Sequence, residues 1–283
     1  MAKIKLVLAD VDGTLVTHDK VLTARAVASA EELRRARVAF ALTSGRPPRG
    51  MQMFVAPLQL VQPLAAFNGG CFLRPDLTII EQHVLSRGVI EPILALIASH
   101  QLDAWIYRGS DWFVRDLHAP HVDREQWTVK FAPIVVPDFT CVMDDVLKIV
   151  GISDDLEAVA RCEADVQRQF TREVRCNQTT PQRDEASGVF AARSQPYYLD
   201  VTHPDANKGA VVHALARMLN IDPHEIATLG DMPNDISMFE QSGVSIAMGQ
   251  SSDEVKRAAT HVTSSSEEEG FASAIERFVL AGT

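Results

Sequence analysis

Four short polar clusters in this sequence hold side chains that could do chemistry together. They occupy residues 10–14, 43–46, 207–209 and 230–235, and each follows an apolar run or precedes a predicted helix. In open parallel sheets, ligands bind in the crevice outside the carboxyl ends of the strands, so residues about 200 positions apart can meet there. The clusters therefore predict one site that is built from both ends of the chain.

The first cluster places Asp10 and Asp12 two residues apart at the exit of a predicted strand. Residues i and i+2 of an extended chain point to the same side, so both carboxylates can face the crevice. Two close carboxylates repel each other, and a hard cation relieves the repulsion, with Asp231 as a further oxygen ligand. A surface turn or a calcium loop would also fit Asp-x-Asp-Gly. A calcium loop, however, needs more oxygen ligands where this chain has Leu15 and Val16.

The other clusters carry donors that suit a phosphate group. Ser44 and Gly45 offer a hydroxyl and a backbone N–H, although a capped turn between a strand and a helix would use the same residues. Lys208, near a helix start, could neutralise a phosphate or be an ordinary surface lysine. The last cluster could be a capped turn, but it holds three amide or carboxylate side chains in a short stretch: Asp231, Asn234 and Asp235.

Strands and helices alternate around these clusters. Apolar runs predict buried strands at residues 4–9, 38–43, 64–67, 226–229 and 244–247. Amphipathic stretches predict helices, one of which begins after an N-cap at Thr23, with others at 207–220, 232–241 and 267–280. Buried strands that alternate with helices indicate an α/β fold with a doubly wound parallel sheet.

Residues 84–193 follow a different pattern. Helices are predicted for residues 88–100 and from Asp154 or Asp155 to about residue 169. Strands are predicted at 103–107, 112–115, 147–152 and 189–192, with a hairpin turn at 108–111, and a further strand at 197–201 follows the segment. This pattern predicts an α+β domain, residues 84–193, inserted into a core formed by residues 1–83 and 194–283.

Composition narrows the classes of partner. The chain has 37 acidic and 27 basic residues and a net charge of −10, which argues against a nucleic-acid partner. No apolar run approaches the roughly 20 residues that span a bilayer, so no membrane partner is expected. The four cysteines form no CxxC pair, as expected of reduced thiols in a cytoplasmic protein. They are Cys71, Cys141, Cys162 and Cys176.

Taken in order, the four clusters resemble motifs I to IV of the haloacid dehalogenase-like (HAD) superfamily. The resemblance is to its Cof-like sugar-phosphatase branch, subfamily IIB. It rests on Asp-x-Asp-Gly-Thr-Leu at 10–15, Ser-Gly-Arg-Pro at 44–47, Asn-Lys-Gly at 207–209 and Gly-Asp-x-x-Asn-Asp at 230–235. Phe-Asn-Gly-Gly at 67–70 resembles the same branch. The resemblance covers residues 3–83 and 194–280, and it implies a Rossmann-like core with an inserted cap.

The resemblance also implies a function and a role for each site residue. The protein would be a Mg²⁺-dependent phosphatase of small phosphorylated metabolites, sugar phosphates above all. Asp10 would be the nucleophile that becomes an aspartyl-phosphate, and Asp12 the general acid and then the base. Mg²⁺ would be bound by Asp10, the backbone carbonyl of Asp12, and Asp231. The phosphoryl group would be held by Val11, Ser44, Gly45, Lys208 and Asn234. Asp235 would orient Lys208 or a metal-bound water molecule, and Arg46 and Asn68 would contact the substrate.

Three expectations remain open at this point. As an acid, Asp12 would need a pKa raised by burial and by a nearby phosphate. Candidates for selecting the leaving group come from the cap, although each also fits an ordinary surface or core position: Trp112, Arg115, His118, His121 and Arg183. A phosphomutase of the same fold or a non-catalytic phosphosugar-binding protein are the alternative functions. The latter would not need Asp10, Asp12, Lys208 and Asp231 together.

Overall fold

The structure is a computed structural model, and it describes residues 3–170 and 188–281. The chain divides into two compact units. The first contains Met1–Arg46, Met51–Glu81 and Asn207–Thr283, and the second contains Pro47–Gly50 and Gln82–Ala206.

Strands of the described residues form two sheets and are numbered here in chain order. The first sheet contains β1 (Leu6–Asp10), β2 (Ala39–Thr43), β3 (Leu64–Ala66), β4 (Cys71–Leu73), β5 (Ile79–Gln82), β12 (Ile226–Gly230), β13 (Val244–Ala247) and β14 (His261–Val262). The second contains β6 (Asp103–Arg108), β7 (Asp111–Val114), β8 (Ile134–Val135), β9 (Val146–Ile152), β10 (Phe190–Gln195) and β11 (Tyr198–Thr202).

Helices are numbered in the same way. They are α1 (Ala24–Arg35), α2 (Pro48–Leu58), α3 (Arg87–Ser99), α4 (Val122–Val129), α5 (Leu156–Phe170), α6 (Lys208–Leu219), α7 (Ile236–Phe239), α8 (Asp253–Ala258) and α9 (Gly270–Ala274). None that the structure describes is long and apolar enough to cross a bilayer.

The first sheet has the order β14-β13-β12-β1-β2-β3-β4-β5. The strands from β14 to β3 pair in parallel, and β4 pairs with β3 in the antiparallel direction. All five residues of the central strand β1 are buried, as expected for a parallel strand that is covered on both faces. The predicted α/β fold with a parallel sheet is therefore confirmed.

The ends of two predicted helices differ in the structure. The helix predicted for 232–241 is a 3₁₀ turn, Pro233–Asp235, followed by the short helix α7. The closing helix begins at Gly270 because Glu269 has a left-handed backbone (φ 60°), which an α-helix does not accommodate. The predicted N-cap is confirmed, since the Thr23 side chain accepts a hydrogen bond from the Ala26 backbone N–H at 3.1 Å.

The second sheet has the order β10-β11-β9-β6-β7-β8 and is antiparallel except for the β7–β8 pair. Side chains from α3 and α5 pack with one face of it, for example Ile97 and Val159 with Ile106 and Leu199. The predicted hairpin is confirmed, with Arg108 opposite Asp111.

The division predicted at residue 194 differs from the units of the structure. Strand β11 lies in the second sheet, between β9 and β10, and the first unit resumes only at Asn207. Pro196 and Tyr197 alone connect β10 to β11, and so short a connection keeps two antiparallel strands in one sheet. The predicted boundary after residue 193 falls within β10 and leaves β11 outside the second unit.

Candidate active site

A buried lysine joins two carboxylates at the carboxyl edge of the first sheet. Asp10 is the last residue of β1, and Lys208 is the first residue of α6. The Nζ atom of Lys208 lies 2.6 Å from Oδ1 of Asp10 and 2.5 Å from Oδ1 of Asp235. The lysine is 2% exposed, so it is a buried ion-pair partner and not a surface lysine. The helix start is fixed by the Asn207 side chain, which accepts from the Ala210 N–H at 2.8 Å.

Asp235 organises the loop that follows β12. Its Oδ2 accepts hydrogen bonds from the backbone N–H groups of Asp231 (2.9 Å) and Met232 (2.8 Å), while its Oδ1 contacts Lys208. A Cβ atom on Gly230 would lie 2.3 Å from Cγ of Asp235, so the close approach depends on glycine. Asp235 therefore holds both the lysine and the loop that carries Asp231.

Asp231 is held against the loop that follows β1. The hydroxyl of Thr14 donates to Oδ1 of Asp231 at 3.1 Å. Gly13 has a left-handed backbone (φ +83°), and a Cβ there would lie 2.4 Å from Oδ2 of Asp231. Glycine at this position thus permits both the turn and the approach of the carboxylate.

The carboxylates of Asp10, Asp231 and Asp235 form a group that could hold a metal ion, with one oxygen of each within 4.8 Å of the others. Burial, together with the neighbouring carboxylates, raises the pKa of Asp10 well above its usual range despite the attraction of Lys208. Burial and the charge of Asp235 raise the pKa of Asp231 to about 7. One lysine thus does not compensate this much buried negative charge, and an all-oxygen set of this kind fits a hard divalent cation.

Asp12 lies in a different environment from the one expected of an acid. Its Oδ2 accepts from Nε of Arg46 at 2.7 Å, and its Oδ1 accepts from Nη2 of Arg46 at 2.7 Å and lies 2.8 Å from Nζ of Lys20. Burial alone would raise the pKa of Asp12, but Arg46 and then Lys20 lower it to about 2. Without a phosphate in the site Asp12 is therefore ionised, and the raised pKa expected when a phosphate binds stays a prediction.

Arg46, predicted to contact the substrate, is turned toward Asp12. It is 4% exposed, and its guanidinium also lies over the ring of Phe54, 5.3 Å from the centroid. The bidentate geometry is the strong form of an arginine–carboxylate pair. Lys20 belongs to the same site but was missed, because a lysine ten positions after Asp10 fits no pattern that distinguishes it from a surface residue.

Ser44 and Asn68 lie on neighbouring loops. The hydroxyl oxygen of Ser44 accepts from the Arg46 N–H at 3.2 Å, and its carbonyl accepts from the Asn68 N–H at 2.8 Å. The side chain of Asn68 lies beside Gly45, where a Cβ would be 3.6 Å from Nδ2. Oδ1 of Asn68 is buried and has no hydrogen-bond partner in the structure. A water molecule or a ligand would satisfy a buried polar atom of this kind.

The two remaining phosphate-binding candidates differ in exposure. Val11 is fully buried, and its carbonyl accepts from the N–H groups of Leu15 and Val16, both at 3.0 Å. Asn234 is exposed, and its carbonyl accepts from the Ser237 hydroxyl at 3.1 Å. Their roles toward phosphate remain predictions.

The candidate selectivity residues of the second unit do not form one group. Trp112 is fully buried, whereas Arg115 and His118 are exposed. His121 stacks on Tyr197 with centroids 4.0 Å apart and contacts Asp154 at 2.9 Å. Arg183 lies outside the described residues.

This chain is similar to known proteins over nearly its whole length. The family profile described as haloacid dehalogenase-like hydrolase matches residues 7–275. YxeH of Bacillus subtilis is 27% identical over 282 residues, 98% of this chain and 99% of its own length. YcsE of the same organism, named a 5-amino-6-(5-phospho-D-ribitylamino)uracil phosphatase, is 23% identical over 283 residues, 98% of this chain and 96% of its own.

Solved structures share the fold over nearly the whole chain. A haloacid dehalogenase-like hydrolase from Bacteroides thetaiotaomicron has a TM-score of 0.83 at 24% identity and covers 97% of this chain and 99% of its own. BT4131, a sugar phosphatase of HAD subclass IIB, has a TM-score of 0.79 at 19% identity and covers 97% and 99%. At these identities the likeness concerns the fold.

Proposed function

Because the chain belongs to the haloacid dehalogenase-like hydrolases and is a phosphatase, we propose that it hydrolyses small phosphate monoesters through an aspartyl-phosphate on Asp10. The observation that carries this proposal is the buried contact of Lys208 with Asp10 and Asp235, beside Asp12 and Asp231. This contact places a nucleophile, a cation and further carboxylates together at one edge of the sheet. Phosphoryl transfer requires such an arrangement.

Asp10 would attack phosphorus through Oδ2, since Oδ1 is engaged by Lys208. The new bond joins this oxygen to phosphorus, the bond from phosphorus to the ester oxygen breaks, and the leaving alkoxide takes a proton. A water molecule then attacks the phosphorus of the aspartyl-phosphate, which restores the Asp10 carboxylate and releases inorganic phosphate. Lys208 would hold Asp10 in position and offset part of the burial that raises its pKa.

Asp12 would give the proton to the leaving oxygen and later accept one from the attacking water. In the structure its carboxylate is ionised by Arg46 and Lys20, so it must take up a proton before it can act as an acid. A substrate phosphate is an anion that competes for the same two cations. We infer that substrate binding draws Arg46 and Lys20 from Asp12, which raises the pKa of Asp12 and prepares it to donate.

The acidic group would hold Mg²⁺. The predicted ligands are the side chains of Asp10 and Asp231 and the backbone carbonyl of Asp12. Asp235, which contacts Lys208 and two backbone N–H groups, would hold the lysine and the loop that carries Asp231. When bound, the ion would supply positive charge to the oxygens of the transferring phosphoryl group. The hydroxyl of Ser44, the amides of Val11 and Gly45, and the side chains of Lys208 and Asn234 would hold that group.

The substrate class proposed is a small phosphorylated metabolite, with sugar phosphates first. BT4131 is a sugar phosphatase, and YcsE acts on a phosphorylated ribityl compound by its name. Both leaving groups are polyhydroxylated alcohols, whose alkoxides leave poorly without an acid in the role proposed for Asp12.

A panel of phosphorylated metabolites tests the proposal. Phosphate release should require Mg²⁺, stop with EDTA, and disappear in Asp10→Asn. Asp19→Asn is the matched control, because the Asp19 side chain is 87% exposed and no part in catalysis is assigned to it. Hydrolysis that needs an added sugar bisphosphate would point instead to a phosphomutase, and full activity in Asp10→Asn would refute the proposal.

A further inference from the structure

Besides the acidic group, the described residues contain a second cluster of side chains with the spacing of metal ligands: His83, His203 and Asp205. One donor atom of each lies within 4.8 Å of the other two. His83 directly follows β5, and His203 directly follows β11. No role in phosphoryl transfer has been given to any of the three.

These residues lie at the two chain ends of the second unit, which includes Gln82–Ala206. His83 is near the start of this segment, and His203 and Asp205 are near its end. A ligand held by all three would connect the entering and leaving segments of the unit. Because such a cross-link restricts the unfolded chain over a long loop, it would stabilise the folded unit.

The side chains are close to a ligating arrangement. The rings of His83 and His203 stack with centroids 5.5 Å apart and 24° between their planes. Nδ1 of His203 lies 3.7 Å from Oδ2 of Asp205. Bonds of about 2.1 Å to a tetrahedral ion place donor atoms roughly 3.4 Å apart, so small rotations of these side chains suffice. Both rings are half-buried and Asp205 is exposed, which gives an ion access from solvent.

The turn at residues 203–205 already places an imidazole beside a carboxylate. The backbone N–H of Asp205 donates to Nδ1 of His203 at 3.1 Å. An ion bound at Nδ1 would replace this hydrogen bond. Burial, assisted by His83, lowers the pKa of His203 although Asp205 opposes the change, so the neutral ring that a metal requires is favoured.

The donor set selects the kind of ion. Two imidazoles and one carboxylate suit first-row transition ions, and Zn²⁺ in particular binds three protein ligands and a water molecule. Mg²⁺ prefers oxygen ligands alone, which is the character of the Asp10 and Asp231 group. The two clusters should therefore take different ions.

We propose that His83, His203 and Asp205 bind a first-row transition-metal ion such as Zn²⁺ and thereby tie together the two ends of the second unit. This site shares no residue with the proposed catalytic site, so the proposal can be tested independently of the phosphatase mechanism.

Binding of Co²⁺ and Zn²⁺ to the full chain tests the site directly. Metal-free protein in excess Mg²⁺, which occupies the acidic group, is titrated with Co²⁺ and followed by visible absorption and equilibrium dialysis. The wild type should bind one Co²⁺ with bands of a histidine-ligated ion, and Zn²⁺ should displace it and raise the melting temperature.

The variants are His83→Gln and His203→Asn, since the Asn side chain can still accept the N–H of Asp205. Each should lower the affinity at least about 100-fold, because loss of a direct ligand exceeds the 10–100-fold effect of an outer hydrogen-bond partner. The control is His118→Gln, an exposed histidine of the same unit, which should bind Co²⁺ like the wild type.

Circular dichroism and Mg²⁺-dependent phosphatase activity, expected to be unchanged, check that the variants fold. If one does not, Asp205→Asn alters only an exposed side chain. It exchanges the carboxylate ligand for a weaker amide oxygen, so binding should still weaken about tenfold or more. Co²⁺ affinity that is equal in the wild type and the histidine variants would overturn the proposal. So would a wild type that binds no Co²⁺ in excess Mg²⁺.

Discussion

Replacement of Lys208 by methionine tests the charge arrangement of the site through stability. Methionine keeps an unbranched side chain of similar length but removes the positive charge that contacts Asp10 and Asp235. The lysine and both carboxylates are 0–5% exposed, so water cannot compensate the carboxylates that are left behind. Removing one partner of a buried ion pair costs about 3–5 kcal/mol, and we expect a loss of this size.

The matched control is Lys5→Met. Lys5 also contacts a carboxylate, Glu225, at 2.8 Å, but its side chain is 52% exposed, and an exposed pair contributes less than about 1 kcal/mol. Urea unfolding of metal-free protein, followed by circular dichroism, measures both losses. A cost for Lys208→Met that is as small as that for Lys5→Met would refute the conclusion that the lysine offsets part of the buried negative charge of Asp10 and Asp235.

Three further predictions concern local geometry and reactivity. Gly13→Ala should displace Asp231 and reduce activity at least tenfold. The control is Gly109→Ala, which is also at positive φ but has nothing within 4 Å of the new Cβ. It should cost only about 1–2 kcal/mol of stability through backbone strain and leave the activity unchanged. Arg46→Met should raise the pKa of the Asp12 carboxyl by about 1–3, measured in a carboxyl ¹³C NMR titration. An unchanged pKa would contradict the contact between Arg46 and Asp12. Burial raises the pKa of Cys71 to about 12, so below that pH its thiolate is scarce. Iodoacetamide near pH 8 should therefore alkylate the exposed Cys141 before Cys71, as peptide mass spectrometry would show.

The sheet and the grouping of the clusters could be predicted from the sequence because both follow from short-range signals. A buried apolar strand such as β1 can be predicted from five consecutive residues, and Asp10 at its end must lie at the carboxyl edge of the sheet. Lys208 could be placed for the same reason, since Asn207 is a recognisable N-cap. The partner that each side chain selects depends on distances across the fold, which no local pattern contains.

The environment of Asp12 and the boundary between the two units could not be predicted from local sequence patterns. Whether Asp12 is an acid or an ion-pair partner depends on Arg46, from the loop after β2, and on Lys20, farther along the same connection between β1 and α1. The boundary after residue 193 was misplaced because β11 resembles a core strand in composition, and only its pairing with β9 and β10 assigns it to the second sheet. Strand pairing is a long-range property, and alternating apolar residues do not specify the partner strand.

The most direct test of the central claim is to trap the phosphorylated enzyme. Wild-type protein turning over p-nitrophenyl phosphate with Mg²⁺ is quenched in acid and reduced with borohydride, which converts an aspartyl-phosphate to homoserine. Peptide mass spectrometry then locates the converted residue. The mechanism predicts homoserine at position 10 only, dependent on substrate and absent from Asp10→Asn. Conversion at another carboxylate, or none at position 10 during active turnover, would contradict the assignment of Asp10 as the nucleophile.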